Sequence, residues 1–206
     1  IIAGGTYTEA NIGNERSYTM VELQAVAAAD TSAATNHRYL YSAYNTANTA
    51  SMYLGEGVRL DTILAKSGVT DFSTSIIALS APDNYAASFD PAKTSVGETS
   101  GANTSQGLGV TRNYYPNLLS SGAGNADNPA QVPTILAWAK GGTKSVTSPL
   151  PTSVTDLGGK LESMTGQIAL NDYNNPLFNS NVNKVVVGDA VTAAPITIVG
   201  TPKTRS

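Results

Sequence analysis

The stretch Gly57-Val58-Arg59-Leu60-Asp61-Thr62-Ile63-Leu64-Ala65-Lys66-Ser67-Gly68, with Ser75-Ile76-Ile77-Ala78-Leu79-Ser80 behind it, decides how this chain folds. Val58, Leu60, Ile63 and Leu64 fall near helical spacing, and Gly68 stands where a C-terminal cap belongs. Gly55 and Gly57 bracket an expected turn at Glu56 ahead of that helix. The apolar run at residues 75–80 is followed by Pro82-Asp83-Asn84, which carries turn chemistry, and by Tyr85-Ala86-Ala87-Ser88-Phe89, which returns. That is a predicted β-hairpin.

Upstream of this stretch, Thr19 followed by Glu22 is a capping-box pattern opening a short helix over residues 21–27. Gly4-Gly5 and residues 11–14 read as turns near an N-terminal strand, and residues 30–36 as a polar loop. Residues 37–44 alternate as a strand, with Tyr39 and Tyr41 on one face and Leu40 on the other. Downstream, residues 90–109 are rich in Ser, Thr and Gly and form an unusually long connection, either mobile or a lid. Arg112-Asn113-Tyr114-Tyr115-Pro116 precedes a second loose stretch at 120–129. Residues 132–139 are apolar and end at Gly141-Gly142, with Pro133 demoting the run to an edge strand or a strand start. A third loop covers 143–159, and residues 161–167 alternate like a half-buried strand. Residues 171–176 form a turn cluster, and 182–187 and 196–199 are closing strands. No internal repeat is evident. The sum is a single α+β domain over residues 1–206, mainly β, with short helices and long loops.

Composition narrows the chemistry. The 206 residues include no cysteine, which excludes thiolate zinc sites, iron–sulfur clusters and cysteine nucleophiles. A single histidine excludes multi-histidine zinc and copper centres. Net charge is −3 and no basic tract occurs, so no nucleic-acid partner is expected. Charged residues make up 13%, against about 25% in a typical soluble domain, and Ser, Thr, Asn and Gly supply the polarity instead. That balance is common among exported bacterial proteins. The sequence opens Ile1-Ile2-Ala3 with no initiator Met, no signal peptide and no apolar run long enough to span a membrane. It reads as an excised mature segment, and the expected location is extracellular or cell-surface.

Several pieces, taken in order, resemble a known domain. Gly57-Val58-Arg59-Leu60 through Leu64 to Gly68 precedes a hairpin carrying Ser80, Asp83 and Tyr85. Ile135-Leu136-Ala137 comes before Gly-Gly, Gly166-Gln167 stands late, and Val182-Asn183-Lys184-Val185-Val186-Val187 closes. Together they resemble the molybdopterin-binding domain of the sulfite oxidase family. The likeness is greater to Firmicute cell-surface proteins of the same fold, often found beside surface-layer-homology modules. Tyr41-Ser42 with Asn45-Thr46, Arg112 to Asn117, and Val132 to Ala137 carry that second likeness, which spans about residues 17–189. The catalytic family holds molybdenum through a cysteine thiolate, and here there is none. Its pterin site uses basic side chains and histidine; only His37, Arg38, Arg59 and Arg112 could serve, and none stands in an alignable pterin motif. Where the enzymes carry an arginine after Gly-x-Pro, this chain reads Gly166-Gln167-Ile168-Ala169-Leu170. The resemblance therefore implies the fold without the sulfite-oxidase chemistry, and no cofactor is expected.

Arg112 with Tyr114 and Tyr115 offers an aromatic and cationic surface on which a sugar, pterin or peptide could stack, or else a partly buried strand with a snorkelling arginine. Tyr41 and Arg59 join them as candidate ligand-binding residues, and Tyr39, Tyr44 and Tyr53 raise the same question, because ten Tyr stand against three Phe. Arg112→Ala with Tyr115→Ala is expected to weaken ligand binding and leave the fold intact. Asp83, Asn84 and Asp90, and the cluster Asn171, Asp172, Asn174 and Asn175, are oxygen-rich, but Asx-turns account for both without calcium. Glu56 with Asp61, or Asp83 with Asp90, are carboxylate pairs at turns and caps. His37 is the lone imidazole, with no Gly-x-Ser-x-Gly elbow to serve. Gly122-Ala123-Gly124-Asn125-Ala126-Asp127 lacks the Lys-Ser/Thr of a phosphate loop. Leu150-Pro151-Thr152-Ser153 lacks the Gly and apolar tail of a sortase signal, and reads as a loop. The expected function is a non-catalytic surface domain for adhesion or ligand binding, whose partner is an unknown surface ligand or a neighbouring surface domain. The alternative is a degenerate pterin- or metal-binding, oxidoreductase-like domain. A carboxylate-based hydrolase is the third reading.

Overall fold

The computed structural model describes residues 16–45, 47, 49–70, 72, 74–92, 106–116, 128–143, 150–170 and 172–189. The expected turns at 4–5 and 11–14, the glycine-rich stretch 122–127 and the closing strand at 196–199 lie outside the described residues. Helix α1 (Met20–Ala28) begins at the predicted capping box: Thr19 Oγ1 accepts from Glu22 N, and the Glu22 carboxylate accepts from Thr19 N. Leu23 and Ala27, one turn apart, are its buried residues. Strands β1 (Arg38–Tyr44) and β2 (Ala50–Arg59) pair antiparallel, and α2 (Leu60–Lys66) follows β2 without a break. Leu60, Ile63 and Leu64 are buried on one face of α2. Gly68 takes φ +90° and donates to Ala65 O, while Val69 N donates to Leu64 O. This pair of bonds is a Schellman cap, and it explains why glycine stands there.

The predicted hairpin is β3 (Ser75–Ser80) with β4 (Ala86–Phe89). Then come β5 (Asn113–Tyr114), β6 (Ala130–Gln131), β7 (Ile135–Thr143), β8 (Thr155–Asp156), β9 (Glu162–Met164) and β10 (Lys184–Asp189). The larger sheet runs β1-β2-β7-β8, with β9 also on β7; β10-β3-β4 form a second sheet, and β5 pairs with β6. All of these strand pairings are antiparallel. Among the described residues, strand outnumbers helix, 39% against 16%, so the expected mainly β class holds.

Four local expectations are corrected. Residues 55–57 make no turn; β2 runs straight through them, with a register shift against β7 between Glu56 and Gly57. That irregularity does work for the core. Met52 and Val58 are six residues apart and in a regular strand would share a face, yet Met52 packs with Tyr41 and Ile135, and Val58 packs with Leu60 and Leu136. Val58 thus belongs to the strand, and the helix starts at Leu60. Residues 135–143 are not an edge: β7 lies between β2 on one side and β8 and β9 on the other. Pro133 instead precedes the strand, the second of the two positions its missing N–H allows. Both faces of β7 are covered, Ile135 and Ala137 by one apolar cluster and Leu136 and Trp138 by the other. A strand covered on both sides reads as an unbroken apolar run, and the run continues through Gly141-Gly142 to Thr143. The segment 161–167 supplies only the short, fully buried β9, and the third loop contributes β8.

Candidate functional site

A cleft of about 540 Å³ opens where the end of β2, the start of α2 and the residues leading into β7 meet a strap at 107–112. Tyr39, Arg59, Asp61, Leu108, Arg112 and Thr134 are among its walls. The approach to β7 is pinned from two sides: Tyr41 OH donates to Pro133 O at 2.8 Å, and Leu60 N donates to Thr134 O at 2.9 Å. Thr134 and Thr165 hydroxyls share a buried hydrogen bond of 2.7 Å. Tyr39, buried from β1, accepts a bond at its hydroxyl from Ala34 N, and burial raises its pKa above the ordinary tyrosine value.

The two guanidinium groups in the wall differ. Arg59, the last residue of β2, donates from Nε to Asp61 Oδ1 at 3.0 Å, from Nη2 to Asp61 Oδ2, and from Nη1 to Ser32 Oγ at 2.7 Å. Asp30 lies 3.8 Å away. The bonds to Asp61 outweigh desolvation and push the Arg59 pKa up. Burial alone would raise the Asp30 carboxyl, but bonds from Ser32 and Thr62 and the nearby Arg59 charge hold it below its usual value. Arg59 is thus a neutralised corner of the cleft.

Arg112 is only 2% exposed. Its Nη2 donates to Gln106 O at 2.7 Å and its Cζ sits 5.0 Å from the centre of the Phe89 ring. Its Nε and Nη1 are buried and have no hydrogen-bond partner among the described residues. Burial pulls its pKa down from 12.5 to about 10, although the Asp172 charge works in the opposite direction. No carboxylate among the described residues lies within ion-pair distance of it. Buried cations are ordinarily paired, so this one stands out.

Asp172 is the matching anomaly. Its Oδ2 accepts from Ile168 N at 3.0 Å, its Oδ1 is buried and without a partner among the described residues, and burial raises its pKa above the ordinary 3.8. An acid whose pKa is raised by folding keeps its proton longer in the native state, so it costs stability increasingly as pH rises above its unfolded value. Asp172→Asn retains an acceptor for Ile168 N and removes that cost. Urea unfolding of both proteins from acid to neutral pH should show the stability difference moving in favour of the variant as pH climbs. A pH-independent difference would contradict this account.

Of the five residues expected to bind ligand, Arg59 and Arg112 meet at the cleft. Tyr41 is fully buried, and Tyr114 and Tyr115 are 5% and 6% exposed within the same apolar cluster. Arg112 and Tyr115 are therefore parts of the packed interior rather than an open stacking surface, and replacing both with Ala is expected to cost stability as well. A polar seam that no local pattern in the sequence marks runs along the outer edge of β1. Ser42 O accepts from Asn174 Nδ2 at 3.0 Å and from Gln167 Nε2 at 3.3 Å, and Ser42 Oγ accepts from Tyr115 N at 3.0 Å. Asn174 also accepts from Tyr44 N at Oδ1 and donates to Thr165 O. Side-chain amides here occupy an edge that a further strand would otherwise seek. Residues 42, 167 and 174 are too far apart in sequence for spacing to reveal this.

Of the two oxygen-rich turns only the first closes on itself as expected; in the second, Asp172 accepts from Ile168 N, Asn174 bonds across to β1, and Asn171 lies outside the described residues. Asp83 Oδ1 accepts from Tyr85 N and Asp90 Oδ1 from Ala92 N, both Asx-turns, and Asn84 sits at φ +67°. Among the described residues no group of three His, Asp or Glu side chains is placed to hold a metal ion. Glu56 bonds Arg38 and the Trp138 indole, so the Glu56–Asp61 pair is divided between two ion pairs. No helix among the described residues is long and apolar enough to cross a membrane.

Compared with known proteins, the chain matches no family model, no curated protein and no solved structure. What the fold and cleft define is a mainly β, antiparallel domain with a walled cleft beside the start of its central strand.

Proposed function

We propose that this is a non-catalytic, exported cell-surface domain that binds a ligand in the cleft between Arg59 and Arg112, on a fold of the sulfite-oxidase-like kind. The observation that carries the reading is the cleft itself: about 540 Å³ of concave space in which Phe72, Leu108, Val110 and Val132 stand among polar groups such as Thr111, Gln131 and Thr134. That volume is in the range of small-molecule sites. Its reactive-looking groups are already engaged. Arg59 and Asp61 neutralise each other, and the hydroxyls of Tyr39 and Thr134 hold structural hydrogen bonds. The low charge of the chain and its Ser, Thr and Asn content support export, and the ordered motifs from Gly57 to Val187 support the fold.

The alternative, a degenerate pterin or metal binder, draws on one observation, the buried cation of Arg112 in the wall. Elemental and pterin analysis of protein purified from the cells that make it separates the two. The binding-domain reading expects neither molybdenum nor tungsten nor pterin in stoichiometric amount. Any of the three at one per chain overturns it in favour of the cofactor reading.

A further inference from the structure

We infer that the cleft selects a small monocarboxylate with an apolar body, its carboxylate seated against Arg112; this rests on the reading of the cleft as a ligand site. Three observations converge. The wall carries two cations and one carboxylate, Arg59, Arg112 and Asp61, and Asp61 is fully engaged by Arg59. Arg112 is the cation of the wall left without an ion pair among the described residues, offset only at longer range by Asp172, and its Nε and Nη1 lack acceptors there. A guanidinium with free N–H groups in a site of low dielectric is a strong partner for a carboxylate. One cation without an ion pair suits one negative charge, whereas a phosphate dianion asks for a second. The rest of the lining includes Phe72, Leu108, Val110, Val132 and Pro133, which suit a hydrocarbon or aromatic body, alongside the uncharged polar Ser32, Thr111, Gln131 and Thr134.

Arg112 forms the wall rather than projecting from it, and its Nε and Nη1 are covered. A carboxylate reaches them when the strap at 107–111 yields, and the strap is tied to the same guanidinium through Gln106 O. The bound carboxylate then supplies the acceptor that is missing among the described residues. On this view the unpaired buried charge is a stability cost retained for recognition, which is how functional sites commonly depart from an optimal core.

Benzoate, its neutral isostere benzamide and inorganic phosphate are suitable probes, titrated calorimetrically into the full chain at neutral pH. Benzoate is expected to bind about tenfold or more tightly than benzamide, the difference one charge-assisted contact makes. Arg112→Met should bring benzoate down to the benzamide level and leave benzamide unchanged. Equal affinities of wild-type protein for benzoate and benzamide overturn the inference without needing any variant to fold. Phosphate binding as tightly as benzoate overturns the monocarboxylate assignment. Failure of wild-type protein to bind benzoate overturns this inference alone, because amide mapping with neutral ligands tests the cleft separately.

Discussion

Asn174→Leu is expected to destabilise the domain by about 4 kcal/mol, the sum of several buried polar groups losing their partners at about 1–3 kcal/mol each. Asn174 is fully buried and serves three backbone groups: it accepts from Tyr44 N and donates to Ser42 O and Thr165 O. Leucine fills similar space and satisfies none of them. Ser42 O keeps the bond from Gln167, but that contact is the longer one at 3.3 Å. Against a typical total of about 5–15 kcal/mol, such a loss leaves a marginal protein. Asn174→Asp should do no better, since it keeps an acceptor for Tyr44 N and turns carboxylate oxygen toward two carbonyls. Urea denaturation reads both. A loss below about 1 kcal/mol in the leucine variant would mean that water replaces the amide and that the seam is not structural.

Gly57→Ala is expected to cost about 3 kcal/mol, at the upper end of ordinary overpacking penalties. A Cβ at this position would stand 2.6 Å from Ala137 Cα and 2.7 Å from Leu136 C, with Leu136 O closer still. These are backbone atoms of β7 and cannot rotate away as a side chain could. The strands would have to separate where the register shift redirects β2, and with them the two ends that carry Arg59 and Thr134 into the cleft. The variant should therefore lose cleft binding along with stability. Gly68→Ala, at φ +90° with open space around it, loses only cap geometry and makes a milder control. Equal costs at the two positions would show that strand contact is not what requires glycine at 57.

Much of the fold is legible in short-range patterns. The Thr19–Glu22 box, the i, i+3, i+4 spacing of Leu60, Ile63 and Leu64, the glycine cap at 68 and the Pro-Asp-Asn hairpin all act within a few residues, and all are present. The errors arise where long-range packing overrides local preference. Gly55 and Gly57 look like turn residues, but the β7 backbone leaves no room for a Cβ at 57, and at 55 a Cβ would meet the Met164 and Ile135 side chains. Pro133 allows an edge strand or a strand start, and only the long-range pairing of β7, which is buried on both faces, decides for the start.

The site was legible in part, and for a similar reason. Arg59 and Arg112 are recognisable as scarce cations, Arg112 beside Tyr114 and Tyr115, and both line the cleft. Nothing in the sequence distinguishes them, yet one is neutralised by Asp61 two residues away and the other is buried without an ion pair among the described residues. Tyr41, Tyr114 and Tyr115 face inward because β1 and β5 pack with β7 and β9 around one apolar cluster. That arrangement depends on pairings between strands distant in sequence.

The account rests on the cleft being where a ligand sits, and amide-resolved NMR titration tests this most directly. Isotope-labelled full chain would be titrated with neutral saccharides, small carboxylates and inorganic phosphate. The expected result is a set of shifts gathered at Gly109, Thr111, Arg112, Gln131 and Thr134, which share the cleft wall. Shifts gathered along α1 instead, or a cleft unmoved by every ligand in the series, would contradict it.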